Sequence, residues 1–230
     1  MSQTALVTGG TGGLGVAVVE KLLAAGWRVT VPWVAEHERE HMAEHERLEL
    51  VRADLSEPAE VSEAVARAAG EPDAPLRAVV NLVGGYAAGA RVHETPIEDF
   101  EDQFRLNLRP AYLVVQAALP HLIEAGDGAV VLVSSRAAPE PFSGAAGYVA
   151  SKAAVLAFAK ALAVEYRDDG VRANAIVPSV IDTPGNRRSM PDADHDRWVD
   201  PAEIARVVHF LCSPECGPTS GAAIPVYGRA

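Results

Sequence analysis

Short apolar runs rich in β-branched residues alternate along the chain with longer segments in which apolar residues return every three or four positions. Thr4 to Val7 predicts a first strand and Val16 to Ala24 a helix; Arg28 to Val34, just after Gly26, predicts the second strand. Leu48 to Ala53 follows as a strand, with Ser56 as N-cap of a helix over Ala59 to Ala69. Leu76 to Val83 reads as a buried strand, and Pro96 to Ala125 as a long helix bent near Pro110, with Asn107 in the turn before it. Ala129 to Val133 is another buried strand, and Ala145 to Tyr166 has helical periodicity. Pro201 to Cys212 is a helix with one apolar face, and Ala222 to Val226 closes the sheet as its seventh strand. Strands and helices in this alternation predict βαβ units and one doubly wound α/β domain of Rossmann type over residues 1–230.

Composition narrows the possibilities. A chain of 230 residues with 49% hydrophobic content supports one well-buried domain and is short for two. The net charge of -11 argues against nucleic acid or an anionic membrane as a partner. Cys212, read as a core residue, and Cys216, read as a turn residue, are the only cysteines, so neither a disulfide framework nor a cysteine-rich metal site is indicated. The start, MSQTALVTGG, has no basic segment or apolar core of a secretory signal, and no uninterrupted apolar run approaches about 18 residues. A cytoplasmic protein without a membrane segment is expected.

The candidate chemistry lies at the ends of strands. Thr8 to Gly15, TGGTGGLG, joins a strand to a helix; glycines at 9, 13 and 15 permit a tight turn, close approach to a pyrophosphate and helix-on-strand packing. An acid at the end of the second strand would bind the ribose of NAD, and a nearby Arg would suit NADP. Pro32, Trp33 and Val34 stand there instead; with no basic residue in the glycine loop, NAD(H) is favoured and NADP(H) stays open. His37 to His41 matches H-E-x-x-H, with His45 one turn on, but the segment is saturated with charge as a solvated helix would be, and no functional metal is expected. Asp54 could accept from an adenine amino group or cap its own turn. Ser134 and Ser135 end the strand at Val133, and Tyr148 and Lys152 share one face of the following helix. A cation beside the phenol is expected to bring its pKa down from about 10 towards a value useful for acid or base work.

Taken in order, Thr8-Gly9-x-x-x-Gly13-x-Gly15, Asp54, Asn81, Asn107, Ser135 thirteen residues before Tyr148, Lys152, and Asn174-Ala-Ile-Val-Pro178 followed by Thr183 make the chain resemble the short-chain dehydrogenase/reductases along nearly its whole length. The resemblance implies a seven-stranded, mainly parallel sheet of order 3-2-1-4-5-6-7 and hydride transfer between a nicotinamide cofactor and a carbonyl or alcohol. It implies a catalytic set of Asn107, Ser135, Tyr148 and Lys152, with Tyr148 as acid or base, Lys152 supporting it and binding ribose, Ser135 holding the substrate oxygen, and Asn107 positioning a water. The cofactor-binding set it implies is Thr8, Gly9, Thr11, Gly13, Leu14, Gly15, Trp33, Asp54, Leu55, Asn81, Pro178, Val180 and Thr183, together with Tyr148 and Lys152. The family forms tetramers or dimers, and the same is expected here. A non-catalytic, cofactor-binding sensor of the same fold is the alternative.

Three stretches depart from the family pattern: Asn81-Leu-Val-Gly84 for Asn-Asn-Ala-Gly, Pro178-Ser179 for Pro-Gly, and an ending without Asp-Gly-Gly. A further likeness, in Gly84-Gly-Tyr86 and in the substrate loop at 182–199, is to dihydropteridine reductases; as these lack the Ser and Asn of the catalytic set, it implies shared ancestry of the loop, with a pteridine substrate as a minor possibility. Arg187 and Arg188 in that loop could meet an anionic substrate or face water.

Overall fold

A computed structural model describes residues 2–229, apart from the side chain of His41. Its seven strands are β1 (Thr4–Thr8), β2 (Arg28–Trp33), β3 (Leu48–Arg52), β4 (Leu76–Asn81), β5 (Gly128–Val133), β6 (Val171–Pro178) and β7 (Ala223–Val226). They form a single sheet in the order β3-β2-β1-β4-β5-β6-β7, and every neighbouring pair is parallel.

Parallel strands need crossovers, and helices supply them on both faces. On one face lie α1 (Gly15–Ala24) and α7 (Pro201–Cys212); on the other lie α2 (Pro58–Ala69), α4 (Arg109–Ala125) and α5 (Ala146–Glu165). The short α3 (Ile97–Asn107) leads into α4, and α6 (Pro184–Ser189) lies in the loop after β6. Alternation along β1 divides the core: Ala5 and Val7 pack with Val18, Leu22 and Ile204, while Leu6 packs with Val61, Val114 and Val155. A sheet covered on both faces is why its central strands are mostly apolar, as in Gly128–Val133, instead of alternating with polar residues.

Several boundaries differ from the sequence expectation. The long helix divides at Leu108, because Pro110 has no N–H to donate and fits only the first turn of a new helix. Ser56 does not cap α2: Glu57 occupies that position, and the Ser56 N–H and hydroxyl both donate to Asp54 Oδ1, at 2.9 and 2.8 Å. β2 and β4 stop at Trp33 and Asn81, one and two residues short of Val34 and Val83. Cys216 is as buried as Cys212, in a short 3-10 turn packed under α7. Over 18 residues of α5 the mean hydropathy is 1.4, enough by length and composition to cross a bilayer. Here that apolar content covers the sheet through Val155, Ala159 and Leu162.

Candidate active site

The C-terminal ends of the parallel strands gather the predicted residues at one edge, where open α/β sheets bind their ligands. β5 delivers Ser134 and Ser135, and the two hydroxyls do different work. Ser134 is buried and donates to Lys152 O at 2.8 Å, tying the strand end to α5. Ser135 is partly exposed, accepts from Ala137 N–H at 3.2 Å, and lies close enough to the Tyr148 phenol to oppose the rise in its pKa.

Tyr148 and Lys152 do share a face of α5, but burial dominates their titration. The Lys152 side chain is 6% exposed, its Nζ donates to Val133 O at 3.1 Å, and it lies 6.0 Å from the Tyr148 ring centre. Burial pulls its pKa from 10.5 down to about 8. The Tyr148 phenol is pushed up by burial, with the Ser135 hydroxyl acting against it. The expected lowering of the phenol by its neighbour is therefore corrected: loss of hydration outweighs a cation whose ammonium is directed at a backbone carbonyl.

Asn107, 1% exposed, sits behind these groups. Its Oδ1 accepts from Gly85 N–H at 3.0 Å and its Nδ2 donates to Ser151 Oγ at 3.2 Å; the Ser151 hydroxyl in turn donates to Tyr148 O at 2.8 Å. The side chain thus couples the loop after β4 to the first two turns of α5, which explains an Asn at a helix end better than propensity does. Gly84 makes this packing possible. A Cβ there would lie 2.6 Å from Asn107 Oδ1 and 3.0 Å from Lys152 Nζ.

The glycine loop has the form of a cradle. Gly9 has a positive φ of 66°, and Gly12 N–H returns to Gly9 O at 3.1 Å. A Cβ on Gly15 would sit 2.0 Å from Gly9 O, and one on Gly13 would sit 2.8 Å from Thr183 Cγ2, so a side chain at 13 would push against the Thr183 side chain in the segment after β6. Thr11 and Leu14 are partly buried beside it. Thr8 is fully buried and donates from Oγ1 to Asn81 Oδ1 at 2.6 Å, across paired positions of β1 and β4. Leu55 belongs to the core, and Asp54 is held low in pKa by its bonds to Ser56.

At the end of β2, Arg39 stacks over Trp33 at 5.1 Å and pairs with Glu36 at 2.7 Å. Glu38 Oε2 accepts from the N–H groups of Val34 and Ala35, at 3.2 and 3.3 Å. Glu36 to His41 forms a 3-10 helix. With three residues per turn, it does not align positions four apart as the H-E-x-x-H reading requires, and the His41 side chain lies outside the described residues.

The segment after β6 forms a loop closed at its base by a bridge between Ile181 and Val199. Pro178 ends β6 and accepts from Arg136 N–H, Val180 is 36% exposed, and Thr183 caps α6 by accepting from Asn186 N–H at 3.2 Å. Arg187 is engaged by Asp182 through two contacts of 2.5 and 2.7 Å. Arg188 is exposed. One feature is absent from the sequence reading: Tyr86 packs edge-on against Tyr148, ring centres 5.0 Å apart, and Phe142 lies 6.4 Å from Tyr86. Aromatic residues in loops otherwise dominated by Ala and Gly were the available signal.

Comparison with known proteins agrees with this geometry. The family described as short chain dehydrogenase matches residues 3–194. The 2-(R)-hydroxypropyl-CoM dehydrogenase of Xanthobacter autotrophicus is 32% identical over 246 residues, spanning 99% of this chain and 98% of its own. Among solved structures, a 3-ketoacyl-(acyl-carrier-protein) reductase from Brucella melitensis complexed with NADH superposes with a TM-score of 0.86 at 28% identity, covering 99% of this chain and 98% of that one. ElxO with NADP bound has the same fold, with a TM-score of 0.92 at 22% identity over 99% of this chain and 98% of its own. On these matches the chain belongs to the short chain dehydrogenases, and it is an NAD(P)-dependent oxidoreductase.

Proposed function

We propose that Tyr148 is the general acid and base in the interconversion of a carbonyl and an alcohol, with Ser135 holding the reacting oxygen. The observation that carries this is the gathering of Ser135, the Tyr148 phenol and a buried lysine, whose ammonium is 6.0 Å from the Tyr148 ring centre, at one end of β5 and α5. The nicotinamide, when bound, supplies or accepts the hydride. In the reductive direction the phenol, kept protonated by burial, gives its proton to the substrate oxygen, while Ser135 donates a second hydrogen bond to that oxygen. The Lys152 ammonium has three donors and spends one on Val133 O, leaving two suited to ribose hydroxyls. Asn107 is a positioning residue, acting through Gly85 and Ser151; these two bonds leave its amide one lone pair and one N–H with which to hold the water that the resemblance implies.

The glycine loop, Thr11 and Leu14 are assigned to the pyrophosphate, with Trp33, Asp54, Leu55 and Asn81 around the adenosine and Pro178, Val180 and Thr183 at the nicotinamide end. NAD(H) is the proposed cofactor. Glu38 supports it: its carboxylate is brought back to the end of β2 by two backbone N–H groups, supplying from the following loop the acid that the strand itself lacks. Such a carboxylate accepts from ribose hydroxyls and repels a 2'-phosphate, and the nearby Arg39 is already engaged by Glu36 and Trp33.

We place the protein in the cytoplasm and propose that it self-associates through α4 and α5, where Tyr112 is 49% exposed and stacks on Phe158 at 5.8 Å. Titration with NADH and NADPH, followed by cofactor fluorescence, tests the cofactor reading. NADH should bind tighter, and Glu38→Gln should narrow the difference; preference for NADPH would overturn the assignment. Tyr148→Phe should bind cofactor normally and turn over about 100- to 10,000-fold more slowly. Unchanged turnover would remove Tyr148 from the chemistry and favour a cofactor-binding sensor.

A further inference from the structure

The loops carrying Tyr86 and Phe142 come from separate parts of the chain, yet they are fastened to each other and to the catalytic groups. Gly85 N–H is held by Asn107 Oδ1 at 3.0 Å, and a Cβ on Gly85 would lie 2.3 Å from Leu106 Cδ2, so the backbone under Tyr86 is pressed onto the end of α3. Gly89 N–H donates to Gly144 O at 2.8 Å, joining the Tyr86 loop to the Phe142 loop. Gly144 has a φ of 80°, and a Cβ there would come within 2.7 Å of Gly89 O. The two loops can close on each other only with glycine at this contact.

Two large aromatic side chains are thereby kept in the open. Tyr86 is 63% exposed and Phe142 49% exposed, although Tyr86 makes a T-shaped contact with the proposed proton donor. Their chain neighbours from Ala87 to Ala90 and Gly144 to Gly147 are Ala and Gly, so these two rings are the largest apolar surfaces offered by that wall. In the flanking loops Arg136 is paired with Glu140 at 2.8 Å and lies over Tyr227, Arg187 is paired with Asp182, and Arg91 and Arg188 are exposed.

We propose that Tyr86 and Phe142 form an aromatic wall that selects neutral, flat, single-ring carbonyl compounds and their alcohols, placing the ring beside Tyr86 and its carbonyl substituent at Tyr148. The proposal rests on the carbonyl-alcohol reading of the site. Ring faces reward a flat apolar substrate by stacking, which an alkyl chain satisfies less well, while the pairing of Arg136 and Arg187 and the net charge of -11 give little return for a carboxylate.

The test uses cofactor-loaded protein, with benzaldehyde, hexanal and 4-carboxybenzaldehyde as substrates and unreactive benzamide as a binding probe. Benzaldehyde should exceed both other aldehydes in kcat/KM, by about tenfold over hexanal. Tyr86→Leu should remove most of that ratio, and Tyr86→Phe should keep it. Benzamide binding by calorimetry should weaken about tenfold in Tyr86→Leu. Equal use of hexanal, preference for 4-carboxybenzaldehyde, or benzamide affinity unchanged in Tyr86→Leu would overturn the wall. If benzamide binds with the expected sensitivity and no aldehyde is turned over, the wall stands and the carbonyl chemistry falls.

Discussion

Replacing Lys152 with Met should make the protein inactive and more stable. Below about pH 8, the lysine is charged in both the folded and the unfolded chain, so the folded state carries the whole penalty of burying the ammonium. The fall from 10.5 to about 8 corresponds to about 3 kcal/mol, at about 1.4 kcal/mol per pH unit. Methionine fills similar space without a charge, but it abandons the hydrogen bond to Val133 O, which offsets about 1 to 2 kcal/mol. A net gain of about 1 to 2 kcal/mol is expected at pH 7, read as a higher urea midpoint for the cofactor-free protein. Between about 8 and 10.5 the unfolded lysine keeps its proton while the folded one loses it, so the parent protein gains stability as pH rises. The advantage of Lys152→Met must shrink through that window and disappear near its upper end. Tyr148, whose raised pKa makes stability fall with pH above about 10, is present in both proteins and largely cancels in the difference. A variant less stable at pH 7, or a gap that does not change with pH, would refute the view that burial sets the state of Lys152.

Further substitutions probe the packing behind the site. Gly15→Ala has no room beside Gly9 O and should cost about 3 kcal/mol or more, abolishing the NADH fluorescence signal even where folded protein is recovered. Gly84→Ala should lower kcat much more than it lowers the thermal midpoint, because the new methyl displaces Asn107 and Lys152 without entering the core; a large loss of stability with normal turnover would contradict this. Thr8→Val should cost about 1 to 3 kcal/mol by calorimetry, since it leaves the buried Asn81 Oδ1 without its donor.

How much the sequence reveals depends on whether a contact is local. The strands were legible because a sheet covered on both faces favours apolar runs, and Ala78 to Val80 and Gly128 to Val133 are such runs. Their ends were not: Val34, Leu82 and Val83 continue the apolar composition after the chain has left the sheet. Tyr148 and Lys152 were paired correctly because one helix carries both. The Asn107 bonds to Gly85 and Ser151 join residues 22 and 44 apart, and no periodicity describes them. Tyr86 and Phe142 meet only because Gly89 and Gly144 fasten two loops together, and residue types in loops carry little information about such contacts.

The titration of the site shows where motif reasoning stops. Four-residue spacing establishes that a phenol and an ammonium lie on one side of a helix, but a pKa depends on depth and on where the charge points. α5 lies against β5, so Lys152 extends inward to Val133 O, and the ammonium helps the phenol less than their spacing suggests. The same depth gives the lysine its value. A cation destabilised to a pKa of about 8, with only one of its donors on a protein acceptor, gains more from two ribose hydroxyls than an exposed lysine would, because each bond returns stability that burial removed. Under the proposed ribose contact, cofactor affinity and the protonation of Lys152 are coupled. NADH should bind more weakly as pH rises through about 8 in the parent protein, and the same pH dependence should be absent from Lys152→Met. A binding profile of the same shape in both proteins would show that the lysine charge contributes nothing to holding the cofactor.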